Sequence, residues 1–209
     1  MYNNNPEWLV HLETLIFEGL PEARREQFQK ELREAVPACA DLEQVQRKLE
    51  ARRLSRLIEL LRQHVAQSYG HGVDEVLVRA IGALDEVRLC YEAGADLTAA
   101  KEDAAEEAEW ASRAETAAKA AARIAAMASA SSRPSWRAEE DAWVEAWEAA
   151  RAAAAAKTAA WAAAAESPAE AAWAAALAAA ESAWAGKLAV TRAWEAEAAD
   201  LLAALAEAA

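Results

Sequence analysis

The three histidines are the first residues to test for metal or acid–base chemistry. They are His11, His64 and His71. None lies in an HExxH or CxxC setting, the spacings that gather zinc ligands on one helix face or in one knuckle. No Glu-x-x-His pair of the kind used by di-iron helical bundles occurs either. We therefore expect no metal site, no cofactor and no catalytic residue.

Motifs for phosphate binding and nucleophilic catalysis are also absent from the sequence. There is no GxGxxG, no Walker-type loop and no GxSxG, and six glycines in 209 residues are too few to cradle a phosphate. The two cysteines, Cys39 and Cys90, are far apart and fit no metal-ligand spacing. We interpret them as free thiols of a reducing cytoplasm. The chain is predicted not to be an enzyme, and no small-molecule substrate is evident.

Carboxylates cluster where helices are expected to begin. One group follows residue 101 and a second follows Ser135; their members are Glu102, Asp103, Glu106, Glu107 and Glu109, then Glu139, Glu140 and Asp141. Acidic side chains are favoured at helix N-termini by the helix dipole. We interpret both groups as solvent-exposed helix faces and not as catalytic sites.

Basic residues are concentrated between residues 47 and 62. They are Arg47, Lys48, Arg52, Arg53, Arg56 and Arg62. Glu43, Glu50 and Glu59 are interleaved at distances that allow ion pairing within one helix. This pattern favours an ion-paired surface over a nucleic-acid footprint. The same run could also dock against the acidic C-terminal half of this chain or of another copy.

The net charge of −13 bears on the class of partner. Residues 1–94 carry twelve basic and sixteen acidic side chains, whereas residues 95–209 carry ten basic and nineteen acidic ones. Such a field repels phosphate backbones and anionic lipids. It predicts neither nucleic acid nor membrane as a partner and suits a basic protein, although an acidic surplus also serves solubility alone.

Residues 1–94 have the pattern of four amphipathic helices. They are predicted from Pro6 to about Glu18, from Pro21 to Pro37, from Asp41 to Ser68, and from an Asp74 cap to Gly94, each with apolar residues at helical spacing. The N-terminus shows neither the basic region nor the apolar stretch of a signal peptide.

Residues 95–209 contain 54 alanines in 115 positions, which predicts three long helices. The first is expected from an Asp96 cap to about Ala130, and the second from a Ser135 cap to about Glu166. Ser167-Pro168-Ala169-Glu170 is a capping box that starts the third. Gly186 is expected to kink this last helix or be absorbed in it. Charged and Ser residues interrupt the Ala tracts, so none is a membrane span.

Tryptophan is concentrated after the Ser-rich segment at residues 129–135. The seven residues are Trp136, Trp143, Trp147, Trp161, Trp173, Trp184 and Trp194. Spacings of seven, four, fourteen and eleven return to one helix face. We predict that they fill a core between Ala-lined grooves, because each Trp can bury on the order of 200 Å². The alternative is that some are exposed and form a patch that binds a partner.

A family resemblance begins in the fourth helix. Two segments precede the Ala-rich helices. They are Ala80-Ile81-Gly82-Ala83-Leu84-Asp85-Glu86-Val87-Arg88 and then Ala93-Gly94-Ala95-Asp96-Leu97-Thr98. This arrangement resembles the immunity proteins of bacterial polymorphic-toxin systems that carry Ala-rich C-terminal helices. The resemblance implies a non-enzymatic helical protein that binds and neutralises a toxin. It assigns no site residue in this chain.

The sequence as a whole predicts an all-α bundle of about seven helices, with the last three long and Ala-rich. We expect residues 1–209 to form a single cytoplasmic domain, with residues 1–94 and 95–209 as two parts of one bundle. The expected function is non-catalytic protein binding, including the immunity type. The alternative is a structural protein, such as a phage or filament component, that associates with copies of itself.

Overall fold

The computed structural model describes residues 6–35, 41–67, 72–131, 136–183 and 186–208. The side chains of residues 128–131, 136–140 and 186 lie outside that description. In the described part there are eight α-helices and no strand. They are α1 (Glu7–Gly19), α2 (Glu22–Ala35), α3 (Leu42–Val65), α4 (Val73–Ala93), α5 (Thr98–Ser131), α6 (Trp136–Ala164), α7 (Pro168–Ser182) and α8 (Gly186–Ala206). The all-α prediction is confirmed, with eight helices instead of about seven.

Large aliphatic side chains of the first half pack against alanines of the second half in the main core. Leu61 of α3 and Leu77 and Leu84 of α4 are fully buried there, together with Ala104 of α5 and Ala156 of α6. Alanine contributes little apolar area itself, but its small side chain lets the backbones approach closely. The aliphatic residues of α3 and α4 supply the area that α5 and α6 lack.

A second core joins the two ends of the chain. Leu12 and Ile16 of α1 are buried with Phe28 of α2, while Trp194 and Leu201 come from α8. These contacts pack residues of the 1–94 part directly against residues of the 95–209 part. The number of domains stays a prediction.

Local capping signals define several helix ends as predicted. The Ser167 hydroxyl accepts from the Glu170 backbone N–H at 3.2 Å, and the Glu170 carboxylate accepts from the Ser167 N–H at 3.3 Å. Asp96 accepts from the Thr98 backbone N–H at 3.0 Å. Gly94 ends α4 with φ of 63°, a left-handed conformation that glycine adopts without strain.

The predicted cap at Asp74 is wrong. The N-cap of α4 is Gly72, whose φ of 80° lets the chain turn into the helix before Asp74 is reached. Asp74 therefore lies within the first turn of α4. The predicted cap at Ser135 lies outside the described residues.

The third long Ala-rich helix is in fact two helices. α7 ends at Ser182, Ala183 is extended with φ of −113° and ψ of 138°, and α8 begins at Gly186. Gly186 neither kinks a continuous helix nor is absorbed in one. The break lets α8 turn towards α1, α2 and α3, where Trp194 and Leu201 become buried. That burial stabilises the break against the helix propensity of the surrounding alanines.

Candidate protein-interaction surface

The structure describes two of the three histidines, and they lie on different helices. His11 is exposed on α1 and His64 is buried on α3, whereas His71 lies outside the described residues. Burial and the nearby positive charge of Arg151 lower the pKa of the His64 imidazole. Within the described ranges no group of three or more His, Cys, Asp or Glu side chains is placed to hold a metal ion.

The free thiol described in the structure belongs to Cys90, which is half-buried on α4. Cys39 lies outside the described residues. None of the described helices is both long and apolar enough to cross a membrane.

The acidic cluster at the start of α5 is a solvent-exposed face, as predicted. Four of its five members are exposed: Glu102, Asp103, Glu106 and Glu109. The fifth, Glu107, accepts from Arg79 of α4 at 2.7 Å and is half-buried. Arg79 also lies over the Trp110 ring, 5.1 Å from its centroid. In the second cluster Asp141 is exposed, and the side chains of Glu139 and Glu140 lie outside the description.

The basic run on α3 docks against α8 of the same chain, one of the arrangements that the sequence allowed. Arg53 is fully buried and pairs with Glu50 of its own helix and with Glu197 of α8. Arg56 pairs with Glu197 and with Asp200. These five side chains are hereafter the buried charge cluster.

Electrostatics within the buried charge cluster favour the charged form of its central pair. Burial alone would raise the pKa of Glu197, but Arg53 and Arg56 outweigh it, and the pKa is lowered. Burial would likewise lower the pKa of Arg53, yet Glu197 and Glu50 raise it. Burial dominates at Glu50 and raises its pKa, and its Oε1 has no hydrogen-bond partner among the described residues.

Three other residues of the basic run also pair with carboxylates. Lys48 and Arg52 both pair with Glu207, at 3.4 and 2.5 Å, and Arg47 lies 3.9 Å from Glu43. Arg62 is exposed. Four residues of the run thus join α3 to α8 and the residue that follows it: Lys48, Arg52, Arg53 and Arg56.

The prediction that the tryptophans fill the core is correct for Trp194 and wrong for four others. Trp194 is 2% exposed, whereas Trp143, Trp147, Trp161 and Trp173 are 38, 39, 50 and 54% exposed. The side chains of Trp136 and Trp184 lie outside the description. Alanines and not tryptophans line the contacts around α6, so the rings point outward there.

Three of the exposed tryptophans lie against fixed groups of the helical body. Arg79 lies over the Trp110 ring, 5.1 Å from its centroid, and Lys157 lies 5.3 Å from the Trp161 centroid. The ring centroids of Trp173 and the buried Trp194 are 6.3 Å apart.

Trp143 and Trp147 instead stack on each other. Their ring centroids are 6.4 Å apart and their planes differ by 11°. They occur one helical turn apart on α6, so each ring restricts the rotamers of the other. The pair is a preorganised apolar surface that is open to solvent.

This stacked pair lies on a hairpin that extends past the main core. α5 and α6 are antiparallel: Lys101 donates to the Ala165 carbonyl at 2.5 Å, and Lys157 donates to Glu115 at 2.6 Å. Residues 112–131 of α5 and 136–148 of α6 are hereafter the arm, and the other described residues are the body. Of the described side chains in the arm, only Glu115 and Ala122 are buried. Ile124 and Met127 are 68 and 72% exposed.

A groove runs between the two helices of the arm, about 330 Å³ in volume. Val73 of α4 forms part of its wall; its other lining residues are Ala114, Ala117, Ala118, Ala121 and Ala125 of α5, and Ala142, Glu145, Ala146 and Ala149 of α6. Trp143 and Trp147 do not line it, since successive residues of a helix are about 100° apart around its axis.

The sequence identified the tryptophans of this surface but did not show that they are exposed. The spacing of Trp143 and Trp147 placed both on one face, and only the tertiary arrangement shows that this face is open. Comparisons with known proteins add no functional label to the surface. No protein-family model, no curated protein and no solved structure matches the chain.

Proposed function

We propose that this chain is a non-catalytic protein-binding protein and that the arm is its binding element. The observation that carries the proposal is the stacked Trp143–Trp147 pair, exposed on a helical hairpin outside the main core. Tryptophan is enriched among the residues that dominate binding energy in protein interfaces. Exposed apolar patches on soluble proteins commonly mark interaction sites.

The arrangement of the arm supports binding because it lowers the entropy cost of association. A stacked ring pair on a helix has few rotamers to lose, and the α5–α6 backbone is already ordered by its own hydrogen bonds. Two further exposed apolar side chains of the arm, Ile124 and Met127, add to the apolar surface of the hairpin.

An immunity-type role remains part of this proposal. The partner would then be a toxin that the arm holds in an inactive complex. A basic toxin suits the −13 net charge, because opposite charges accelerate association. The same apolar side chains also suit the alternative of self-association, which light scattering over a range of concentrations distinguishes through the mass of the particle.

Quantitative co-purification from the native host tests the proposal. The double variant Trp143→Ser/Trp147→Ser should lose the partners that the unaltered chain retains. Trp161→Ser is the matched control, because it removes a Trp of similar exposure from the same helix but from the body. Equal partner recovery from the double variant and from the unaltered chain would reject the arm as the binding element.

A further inference from the structure

The groove of the arm continues the α5–α6 surface against which α4 packs. α4 buries Val76, Leu77 and Leu84 against alanines of α5 and α6. α4 has 21 residues and α5 has 34, so α5 runs about 20 Å beyond the level at which its antiparallel neighbour begins. Val73, the first residue of α4, is part of the groove wall. The Ala-lined surface of α5 and α6 is therefore covered by α4 along the body and open to solvent along the arm.

The part of this surface that α4 covers shows which side chains pack there. Large aliphatic residues of α4 enter between the alanines, and Arg79 on the flank of α4 pairs with Glu107 on α5. Within the chain, this surface thus packs against an apolar stripe, and one basic residue beside that stripe, Arg79, pairs with an acidic residue of α5.

The charges beside the groove indicate which class of helix could bind there. Glu145 of α6 lines the groove, and Asp141 and Glu148 lie one turn before and one turn after it on the same side of that helix. None of the three has an ion-pair partner among the described residues, whereas Glu107, Glu115, Glu197 and Glu207 are all paired. On α5, Ile124 is 68% exposed and lies within one turn of the lining residues Ala121 and Ala125.

We infer that the groove binds an amphipathic helix of a partner protein, with aliphatic residues facing the alanines and Lys or Arg facing Asp141, Glu145 and Glu148. Ala114 to Ala125 span about 17 Å, which corresponds to about three turns of the bound helix. This inference rests on the proposed protein-binding function, since it states the chemistry of a partner, but it uses a different face of α6 from the stacked tryptophans.

A pair of designed peptides tests the inference on the full-length chain. Both are 18-residue amphipathic helices with the same leucines and valines at i, i+3, i+4 and i+7, one with lysine and the other with glutamate on its flanks. Fluorescence anisotropy of the labelled peptides measures binding. The lysine peptide should bind at least about tenfold more tightly than the glutamate peptide.

Three variants locate the binding. Ala121→Arg places a long side chain in the groove and should weaken binding of the lysine peptide at least about tenfold. Ala120→Arg is the control, because Ala120 is exposed but does not line the groove. Glu145→Lys/Glu148→Lys should reverse the preference, so that the glutamate peptide binds more tightly. Circular dichroism verifies that each variant keeps its helix content.

Two results would overturn the inference. One is binding that is absent, or equal for the two peptides and unchanged by Ala121→Arg. The other is a chain that is dimeric by light scattering and becomes monomeric in Ala121→Arg, because the occupant is then a second copy. Neither result tests the binding role proposed for Trp143 and Trp147, because the co-purification experiment tests that role separately.

Discussion

Glu197 of α8 accepts hydrogen bonds from Arg53 of α3 on both carboxylate oxygens, with Arg53 Nε 3.0 Å from Oε1 and Nη2 2.8 Å from Oε2. Both side chains are 1% exposed. This pair connects the two parts of the chain across 144 residues of sequence. Removing one partner of such a pair leaves an uncompensated buried charge, which costs far more than the loss of a surface pair.

Glu197→Gln is therefore expected to lower the free energy of unfolding by about 3–5 kcal/mol. Glu50→Gln should have a much smaller effect, because burial raises the pKa of Glu50 and its Oε1 makes no hydrogen bond among the described residues. Urea denaturation measures both. Equal losses in the two variants would show that the cluster does not depend on Glu197 as its central acid.

Gly19 and Trp194 pack so closely that a methyl group at residue 19 would overlap the indole ring. Gly19→Ala should cost about 1–3 kcal/mol from overpacking, although alanine is the better helix former. Gly82→Ala is the matched control, since Gly82 is helical and nothing lies within 4 Å of the added Cβ. It should stabilise the chain by up to about 1 kcal/mol. A stabilised Gly19→Ala variant would contradict the packing described for α1 and α8.

This contact explains why one part of the fold could not be predicted from the sequence. The capping box at Ser167 and Glu170 is local, so its pattern was sufficient to place the start of α7. The break between Ser182 and Gly186 has no comparable local signal. It is stabilised by burial of Trp194 against Gly19, a residue 175 positions earlier that the sequence pattern marked only as a helix end.

The candidate surface was predictable to the same limited extent. Helical spacing placed Trp143 and Trp147 on one face, but burial depends on which helix covers that face. Trp194 is covered by α1 and is 2% exposed, whereas Trp143 and Trp147 are 38 and 39% exposed. The sequence favoured an ion-paired surface for the basic run and allowed docking against the acidic C-terminal half of this chain or of another copy, without deciding between them.

Tryptophan substitutions should separate core from surface. Trp194→Ala is expected to cost about 3–5 kcal/mol, as for other large buried side chains. Trp143→Ala/Trp147→Ala removes partly exposed rings from the arm and should cost much less. Denaturation curves measure both, and acrylamide quenching of Trp fluorescence should fall when residues 143 and 147 are replaced. A cooperative loss of structure in the double variant would mean that the pair is part of the core.

The buried His64 predicts a dependence of stability on pH. Its pKa is lowered in the folded state, first by burial and then by Arg151, from an ordinary value of about 6.5. The contribution of neutral His64 to the free energy of unfolding is complete above about pH 6.5. It is lost as the pH falls through the folded pKa, because the unfolded chain then binds more protons than the folded chain. The free energy of unfolding should therefore decline below about pH 6.5.

His64→Gln should flatten this decline, measured by urea denaturation between about pH 7.5 and pH 5.5. His11→Gln is the control, because His11 is exposed on α1. The same slope in His64→Gln and in the unaltered chain would show that another group is responsible.

Site-specific photo-crosslinking in the native host tests the proposed binding role of the arm most directly. A photoreactive amino acid is placed at residue 147 in one variant and at residue 161 in a second, where the side chain is also exposed but belongs to the body. The proposal predicts an adduct with a different protein from residue 147 and none from residue 161. The absence of any adduct from residue 147, or the same adducts from both positions, would contradict it, and an adduct of twice the chain mass would favour self-association.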